Sequence, residues 1–320
     1  MKSIKGVGPA TLRQAIIFLE LNKSEMISSI NRKYSMVNEQ SYAEGESYAR
    51  KQIEIAEKLG HEIISFLDPA YPNSLRVLPN SPVILYLNGD LDFLSDKCVA
   101  VIGTRDPTNH GKKIAERVTR WLCENGWQIV SGLAKGVDTL GHQICIDAGM
   151  KTAAVLAHGL DSVYPKENQS LAEKIVISGG VLISEYPYGV TVRPAQLVQR
   201  DKIQAALSAG VVLVQSSLKG GSLHASRETI RYNRPLIVVG QSLYDEQVNK
   251  DNIMANIVLL DDDDKRATKL LRTNSYPFEL VIKMHSKDDY PLTLKALKKS
   301  HHSFTSHHND QKNSSNSFLF

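Results

Sequence analysis

The chain has 320 residues, 42% of them hydrophobic, and a formal net charge of +4 at pH 7. This length predicts about two domains with a sizeable core, and the mild basicity permits nucleic-acid binding without requiring it. The sequence shows neither a leader-like start nor a run of about 20 apolar residues, so we expect a cytoplasmic protein.

Residues 1–60 are predicted to form a small helical domain, because apolar residues recur at helical spacing. Its first residues, Gly6 to Ala10, resemble the hairpin turn of a helix-hairpin-helix or SAM-like domain, although an ordinary Gly-Pro helix start fits equally well. A proline-rich connector follows from His61 to Leu91, with a strand-like run at Val83–Leu87.

Short apolar runs then alternate with helical patterns up to Gly240. The predicted strands are Cys98–Ile102, Gln128–Ser131, Thr152–Ala157, Val181–Ser184, Val211–Gln215 and Leu236–Val239. The predicted helices are Gly111–Asn125, Thr139–Gly149, Asn168–Ile177, Gln199–Ser208 and Ser222–Tyr232. Nearly uninterrupted apolar strands indicate a parallel sheet covered on both faces. The predicted fold is α/β: a doubly wound, mostly parallel Rossmann-like sheet with a small N-terminal helical domain.

The chain changes character after the last predicted strand. We place the Rossmann-like domain at residues 61–265, a C-terminal extension at 266–300 and a disordered tail at 301–320, which is rich in Ser, Asn and His. The acidic run from Asp261 to Asp264 is predicted to be a solvated loop. The tail histidines His301, His302, His307 and His308 are interpreted as part of a polar tail, and we expect no metal site. Cys98, Cys123 and Cys145 form no C-x-x-C pair and are predicted to be buried free thiols.

Ligands of open parallel sheets bind at the carboxyl ends of the strands. Three predicted strands end there in glycine-rich or cationic loops, which suit phosphate through close backbone approach, N–H groups and positive charge. We therefore predict a phosphate-binding site, with Arg200 and Lys202 contributed by the helix after Ser184–Gly189. Its residues are Gly103, Thr104, Arg105, Ser131, Gly132, Lys135, Arg200, Lys202, Lys219, Gly220, Gly221 and Ser222.

Other side chains near these strand ends leave alternatives open. Tyr164, Tyr186 and Tyr188 are either stacking faces for bases or loop packing. Asp138 and His142 stand at helical spacing, and a structural cap contact is favoured over a catalytic dyad.

These segments resemble the DprA/Smf family of DNA-processing proteins. The resemblance covers about residues 61–240 and would make this chain a divergent member. It is carried by Gly103-Thr104-Arg105, Gly132 to Asp138 with His142, Gly159-Leu160-Asp161 with Tyr164-Pro165, and Ser184 to Pro187. It implies single-stranded DNA binding, homodimerisation and transfer of DNA to the RecA recombinase. It implies no catalytic activity and no cofactor.

Some positions depart from the family pattern. Asp201 replaces an asparagine between two basic residues, Gln215 replaces a glutamate, Gly220 replaces a serine, and Ala225-Ser226 replaces Thr-Ala. The sequence shows no winged helix at the C-terminal end. An alternative is therefore a divergent antitoxin or regulatory component of an anti-phage or toxin–antitoxin system, with a cognate toxin as partner.

A third interpretation is a nucleotide phosphoribohydrolase. Enzymes related to this family share the sheet and a Gly-Gly loop, and they need a glutamate in the helix that follows. Glu228 lies nearby but one position out of register, with Arg227 in the expected place. We therefore expect a protein that is not an enzyme.

Overall fold

The computed structural model of the chain describes residues 39–315 apart from residues 79, 96 and 249–250. The predicted hairpin turn at Gly6–Ala10, together with the rest of residues 1–38, lies outside the described residues, as do residues 316–320.

A nine-stranded sheet organises the described chain, in the order β1-β2-β6-β5-β4-β3-β7-β8-β9. The strands from β3 onwards pair in parallel, whereas β1–β2 and β2–β6 are antiparallel. Their bounds are β1 Glu62–Ser65, β2 Ile84–Gly89, β3 Cys98–Ile102, β4 Gln128–Ser131, β5 Thr152–Leu156, β6 Val181–Ser184, β7 Val211–Leu213, β8 Leu236–Val239 and β9 Val281–Met284. The predicted doubly wound, mostly parallel sheet is confirmed.

Eleven α-helices lie in the described residues. They are α1 Glu39–Leu59, α2 Asn73–Arg76, α3 Asn109–Glu124, α4 Val137–Asp147, α5 Gln169–Ile177, α6 Pro194–Ala206, α7 Leu223–Arg231, α8 Leu243–Gln247, α9 Met254–Leu260, α10 Asp264–Leu271 and α11 Tyr290–Ser315. The predicted helices correspond to α3 through α7. The main difference is α6, which begins five residues earlier than predicted, because Pro194 occupies its first turn, where a missing N–H costs nothing.

The central strands are buried on both faces because helices cover each side. Ala100 and Ile102 of β3 pack into one apolar cluster with side chains of α6, α7, α9 and α10. Val99 and Val101 point the opposite way, into a cluster with side chains of α3, α4 and α11. This alternation along a wholly apolar strand is the expected pattern for a parallel sheet between two helical layers.

Both ends of the predicted Rossmann-like domain need extension. Strand β9 adds to β8 beyond the predicted boundary at residue 265. At the other end, α1 packs on the sheet: Ala56 is buried, and the Gln52 side-chain oxygen accepts a hydrogen bond from the Tyr188 amide at 2.8 Å. The described part of residues 1–60 thus contacts the sheet.

The last helix also differs from the prediction. Leu297 is fully buried against the sheet, and Tyr290 stacks on Trp121 with ring centroids 3.9 Å apart. The helix continues to Ser315, although a disordered tail was predicted from residue 301. The first turns of the helix are fixed by packing, and a helix that has already begun is easily extended. The composition of the tail does not reveal this packing.

The acidic run from Asp261 to Asp264 is not simply a loop, since Asp263 accepts hydrogen bonds from the Lys265 and Arg266 amides at the start of α10. The three cysteines are buried free thiols, as predicted. Among the described helices, none has the length and apolarity required to cross a membrane.

Gly136 provides a test of the packing between β3 and α4. Its φ is +78°, and an added Cβ would lie 2.4 Å from the Thr104 carbonyl oxygen. We expect Gly136→Ala to lower the free energy of unfolding by at least about 3 kcal/mol, since strain and a backbone clash combine.

Gly149→Ala is the matched control, because its φ is +70° but an added Cβ meets nothing within 4 Å. Its cost should be about 1 kcal/mol. Equal costs for the two variants, measured by urea unfolding, would contradict the close approach.

Candidate functional site

The site lies where the order of the parallel strands reverses. The chain runs outward from β3 to β6 and then returns to β7, on the other side of β3. The connections leaving β3 and β7 diverge there and open a crevice, the usual ligand position in this fold. The crevice is a cleft of about 380 Å³.

Six segments line the cleft: the loops after β3, β4 and β7, the starts of α4 and α7, and one face of α6. The lining includes Gly103, Thr104, Arg105, Ala134, Asp138, Leu197, Arg200, Asp201, Gln204, Ser216, Ser217, Gly220, Gly221, Ser222 and His224. Seven of the twelve predicted site residues are therefore brought together: Gly103, Thr104, Arg105, Arg200, Gly220, Gly221 and Ser222.

The loop after β3 is held against β7 and α4. The Thr104 amide donates to the Gln215 carbonyl at 2.7 Å, and the Val137 amide donates to the Thr104 carbonyl at 3.2 Å. A Cβ at Gly103 would lie 2.6 Å from the Val137 side chain, so glycine permits this approach. The loop thereby presents the exposed Arg105 guanidinium to the cleft.

The loop after β7 turns into α7 on the opposite side of the cleft. The Ser222 hydroxyl donates to the Ser216 hydroxyl at 2.8 Å, and the Gly220 amide donates to the Ser217 carbonyl at 3.0 Å. Within the described chain, the amides of Gly221 and Ser222 donate to no protein acceptor. Two unsatisfied N–H groups at the start of a nine-residue helix suit an anion.

The loop after β4 does not act as the predicted phosphate cradle. Its Gly132 and Ala134 amides donate to the Asp138 carboxylate, at 3.1 and 3.3 Å. Ser131 is fully buried, and its hydroxyl donates to the Val101 carbonyl at 2.7 Å. The predictions for Ser131 and Gly132 are corrected accordingly: Asp138 uses the amides that a phosphate would need.

A shallow pocket of about 70 Å³ adjoins the cleft and shares Arg105 with it. Gly132, Lys135 and Tyr164 also line this pocket. Lys135 forms an ion pair with Glu167 at 2.6 Å, and both side chains are exposed. Such a surface pair is weak, so Lys135 remains available to a phosphate.

Arg200 is a buried structural cation as well as a wall of the cleft. It is 5% exposed, its Nη1 donates to the Val155 carbonyl at 2.9 Å, and its Nε lies 3.1 Å from Asp201 Oδ1. A Cβ on Gly132 would overlap the guanidinium, so Gly132 is required here for packing. Arg200 therefore joins α6 to the end of β5.

Asp201, which replaces an asparagine of the family pattern, places a carboxyl group on the cleft. Burial raises the pKa of Asp201 to about 7; Arg200 and Arg105 oppose the rise, and Asp138 adds to it. The Gln204 amide donates to the same carboxyl at 3.1 Å. The group thus titrates near neutral pH and adds negative charge to the cleft only when deprotonated.

The structure does not place Lys202 and Lys219 in the lining of the cleft. Lys219 is exposed at the tip of the β7–α7 loop, and Lys202 is half-buried on α6. The sequence interpretation missed His224 and Gln204, which do line it. His224 directly follows the Gly-Gly-Ser loop at the start of a helix, and that position was the available signal.

The structure also bears on the aromatic and histidine alternatives. Tyr188 is buried and packs edge-on against Tyr86, whereas Tyr164 is 46% exposed beside Arg105 and keeps the stacking interpretation open. Asp138 and His142 form no hydrogen bond with each other: Asp138 binds loop amides, while His142 Nδ1 lies 2.7 Å from the Thr152 hydroxyl. Burial lowers the pKa of His142 to about 3.

The surroundings of Gln215, a departure from the family pattern, and of Glu228 have structural explanations. The Gln215 side chain accepts a hydrogen bond from the Thr108 amide and donates to the Gln241 side-chain oxygen at 2.8 Å. A glutamate could not make that donation. Glu228, the glutamate of the phosphoribohydrolase interpretation, is paired with Arg231 at 2.7 Å and does not line the cleft.

Fold and site together define a class. The chain is a doubly wound α/β protein whose switch-point cleft is lined by an arginine, free backbone amides and a helix start, a set of groups that suits phosphate. No group of three or more His, Cys, Asp or Glu side chains suited to a metal occurs in the described residues.

Comparison with known proteins identifies the family. The family model of DNA recombination-mediator protein A matches residues 62–262, more than half of the chain. The protein belongs to this family, which is the DprA/Smf family indicated by the sequence.

Several curated relatives support the assignment. The chain is 34% identical to the DNA processing protein DprA of Bacillus subtilis over 187 residues, which are 58% of this chain and 63% of that protein. It is 36% identical to DprA of Streptococcus pneumoniae over 57% of this chain and 64% of that protein. The chain therefore spans somewhat less than two thirds of the length of these relatives.

Two solved structures of DNA processing protein A superpose on this chain. The DNA processing protein A of Streptococcus pneumoniae superposes with a TM-score of 0.63 and 28% identity, covering 76% of this chain and 85% of the other. That of Helicobacter pylori, solved to describe its single-stranded DNA binding mode, superposes with a TM-score of 0.51 and 30% identity, covering 60% and 89%.

Asp201 should make the stability of the folded protein depend on pH. Its pKa is raised in the folded protein, so the folded state holds a proton that the unfolded chain releases at lower pH. Its contribution to stability is complete below about pH 4 and is lost as the pH rises to about 7. We expect Asp201→Asn, which cannot ionise, to gain stability over the wild type across this window.

Urea unfolding of both proteins at about pH 5 and about pH 8 provides the measurement, because titrations common to both proteins cancel in the difference. A difference that does not change between the two pH values would show that Asp201 titrates normally.

Proposed function

We propose that the protein binds single-stranded DNA at the carboxyl edge of its sheet, with a backbone phosphate in the switch-point cleft. The observation that carries the proposal is that Arg105 lines the same cleft as Gly221 and Ser222, whose backbone amides donate to no acceptor in the described chain. Phosphate contacts of this kind position a strand without reading its sequence. Membership of the recombination-mediator family supports the choice of DNA over other phosphate-bearing ligands.

We further propose that binding is the whole function of the cleft and that no reaction is catalysed there. Its carboxylates are already engaged: Asp138 binds two loop amides, and Asp201 is paired with Arg200. Glu228 forms an ion pair with Arg231. Release of free base from a nucleoside monophosphate would overturn this part of the proposal.

Homodimerisation, delivery of the strand to RecA and a cytoplasmic location complete the proposed role. They follow from the family resemblance, and three buried free thiols agree with a reducing compartment. A pull-down from the native host, with and without nuclease, tests the partners. Capture of RecA supports the role, whereas nuclease-resistant capture of a toxin would support the antitoxin alternative.

Arg105 is the residue whose removal should weaken DNA binding most. We expect Arg105→Ala to reduce the affinity for oligo-dT roughly tenfold at low salt. The slope of log affinity against log salt should also fall by about 0.7 for each phosphate that the arginine no longer neutralises. Fluorescence anisotropy over a salt series measures both quantities.

Lys219→Ala removes the same charge from the exposed loop tip outside the cleft. The sequence predicts that it weakens binding, and its position predicts a smaller effect than that of Arg105→Ala. If the wild-type protein does not bind oligo-dT at low salt, the proposal is wrong. If Arg105→Ala and Lys219→Ala lower the affinity equally, the cleft is not where the phosphate binds.

Asp201 should make binding depend on pH. Its deprotonation adds a negative charge beside Arg105, Arg200 and Asp138, so affinity should fall as the pH rises through about 7. Asp201→Asn should bind more tightly than the wild type above that pH and lose most of this pH dependence. The same anisotropy titrations at about pH 6 and about pH 8 measure the difference. A wild-type pH dependence that survives in Asp201→Asn would assign it to another group.

A further inference from the structure

A second concentration of positive charge lies beside the cleft, around α7 and the end of α10. His224 and Arg227 lie three residues apart on α7 and therefore share a face of the helix. Arg272, exposed and with a φ of +57°, follows α10 two residues after Leu270, whose carbonyl accepts a hydrogen bond from Arg227. Lys202, half-buried on α6, is near enough to lower the pKa of His224 slightly. We call His224, Arg227, Arg272 and Lys202 the α7 basic cluster.

The members of this cluster are close enough to affect one another. Partial burial lowers the pKa of His224, and the charges of Arg227, Arg272 and, more weakly, Lys202 lower it further; Glu228 opposes them. Burial, Arg272 and Arg231 likewise lower the pKa of Arg227. These groups repel one another in the protein without a ligand.

Nearby acidic groups do not neutralise the cluster. Glu228, the carboxylate on the same helix, is paired with Arg231 at 2.7 Å. In the described part of the chain, no carboxylate comes within ion-pair distance of Arg227, Arg272 or Lys202. An anion bound here would relieve the repulsion, as phosphates do at arginine clusters.

The geometry also fixes one member of the cluster and connects it with the cleft. Arg227 Nε donates to the Leu270 carbonyl at 3.0 Å, which holds the guanidinium between α7 and α10. His224 lines the cleft itself, about one helical turn before Arg227. A chain of phosphates that leaves the cleft past His224 therefore reaches Arg227 and Arg272 next.

We propose that the α7 basic cluster is a second phosphate subsite, so that a single DNA strand held in the cleft continues across α7 towards Arg272. This assignment rests on single-stranded DNA being the ligand, as proposed above. It adds His224, Arg227 and Arg272 to the binding surface and gives Lys202 a position in it.

The test compares strands of two lengths. A short oligo-dT of about three nucleotides occupies the cleft, whereas one of about twelve also reaches the α7 basic cluster. Arg227→Gln/Arg272→Gln should bind the long strand roughly tenfold more weakly, with the salt slope reduced by about 1.4, and bind the short strand as the wild type does. Arg105→Ala should weaken both.

The matched control is Arg231→Gln/Arg266→Gln. It removes the same charge from the same two helices, but at arginines already paired with Glu228 and Asp261. It should change long-strand affinity much less. Arg272→Gln alone, at an exposed position, repeats the test without breaking the Arg227–Leu270 hydrogen bond. Unchanged long-strand binding in both cluster variants overturns the second subsite, while a persistent effect of Arg105→Ala leaves the proposed function intact.

Tripolyphosphate separates the two proposals if the wild type does not bind DNA. Measured by titration calorimetry, its affinity should fall in Arg227→Gln/Arg272→Gln and not in the control. That result would retain the phosphate subsite while the DNA proposal fails. Equal affinities in all three proteins would overturn the subsite.

Discussion

The buried guanidinium of Arg200 is the contact on which the binding edge of the sheet depends. It packs on Gly132, donates to the end of β5 and pairs with Asp201, and so fixes α6 against two strand ends at once. Without this cation the Val155 carbonyl would lose its hydrogen-bond donor, and the pKa of the buried Asp201 carboxyl would rise further. One side chain therefore supports the fold and shapes the electrostatics of the cleft, so Arg200 has a folding role in this chain.

The cleft exists because the chain order reverses between β3 and β7, and the site is built from whatever follows those two strands. One side supplies an exposed cation, Arg105; the other supplies fixed amide dipoles at the start of α7. The loop after β4 looks equivalent in sequence but serves differently, since Asp138 closes it internally. Two similar glycine-rich loops on this edge of the sheet therefore differ: the loop after β7 has free backbone donors, whereas the loop after β4 is a turn whose amides bind Asp138.

Much of the fold could be predicted from the sequence, because the parallel strands are unbroken apolar runs and glycines mark their ends. Four of the six predicted strands have the predicted bounds, and the others end one or two residues early. Strand β9 was missed because Lys283 interrupts its four residues, and the long α11 was missed because its tail is polar. Within the site, glycine positions were predictable from the turn they require. Which loop amides are already bonded, and whether Lys202 or Lys219 faces the cleft, depends on contacts between distant segments that spacing does not encode.

Strand β9 bears on how the protein can be divided. The family model ends at residue 262, yet β8 pairs with Val281–Met284 and the buried Leu297 covers the adjoining face. A fragment cut at that point would keep every residue of the cleft. It would also expose the hydrogen-bonding edge of an apolar strand, which is a template for pairing between molecules. The match to the family model therefore covers the cleft residues, whereas the pairing and packing that cover β8 extend into α11. We expect the shorter fragment to self-associate more readily than the full chain.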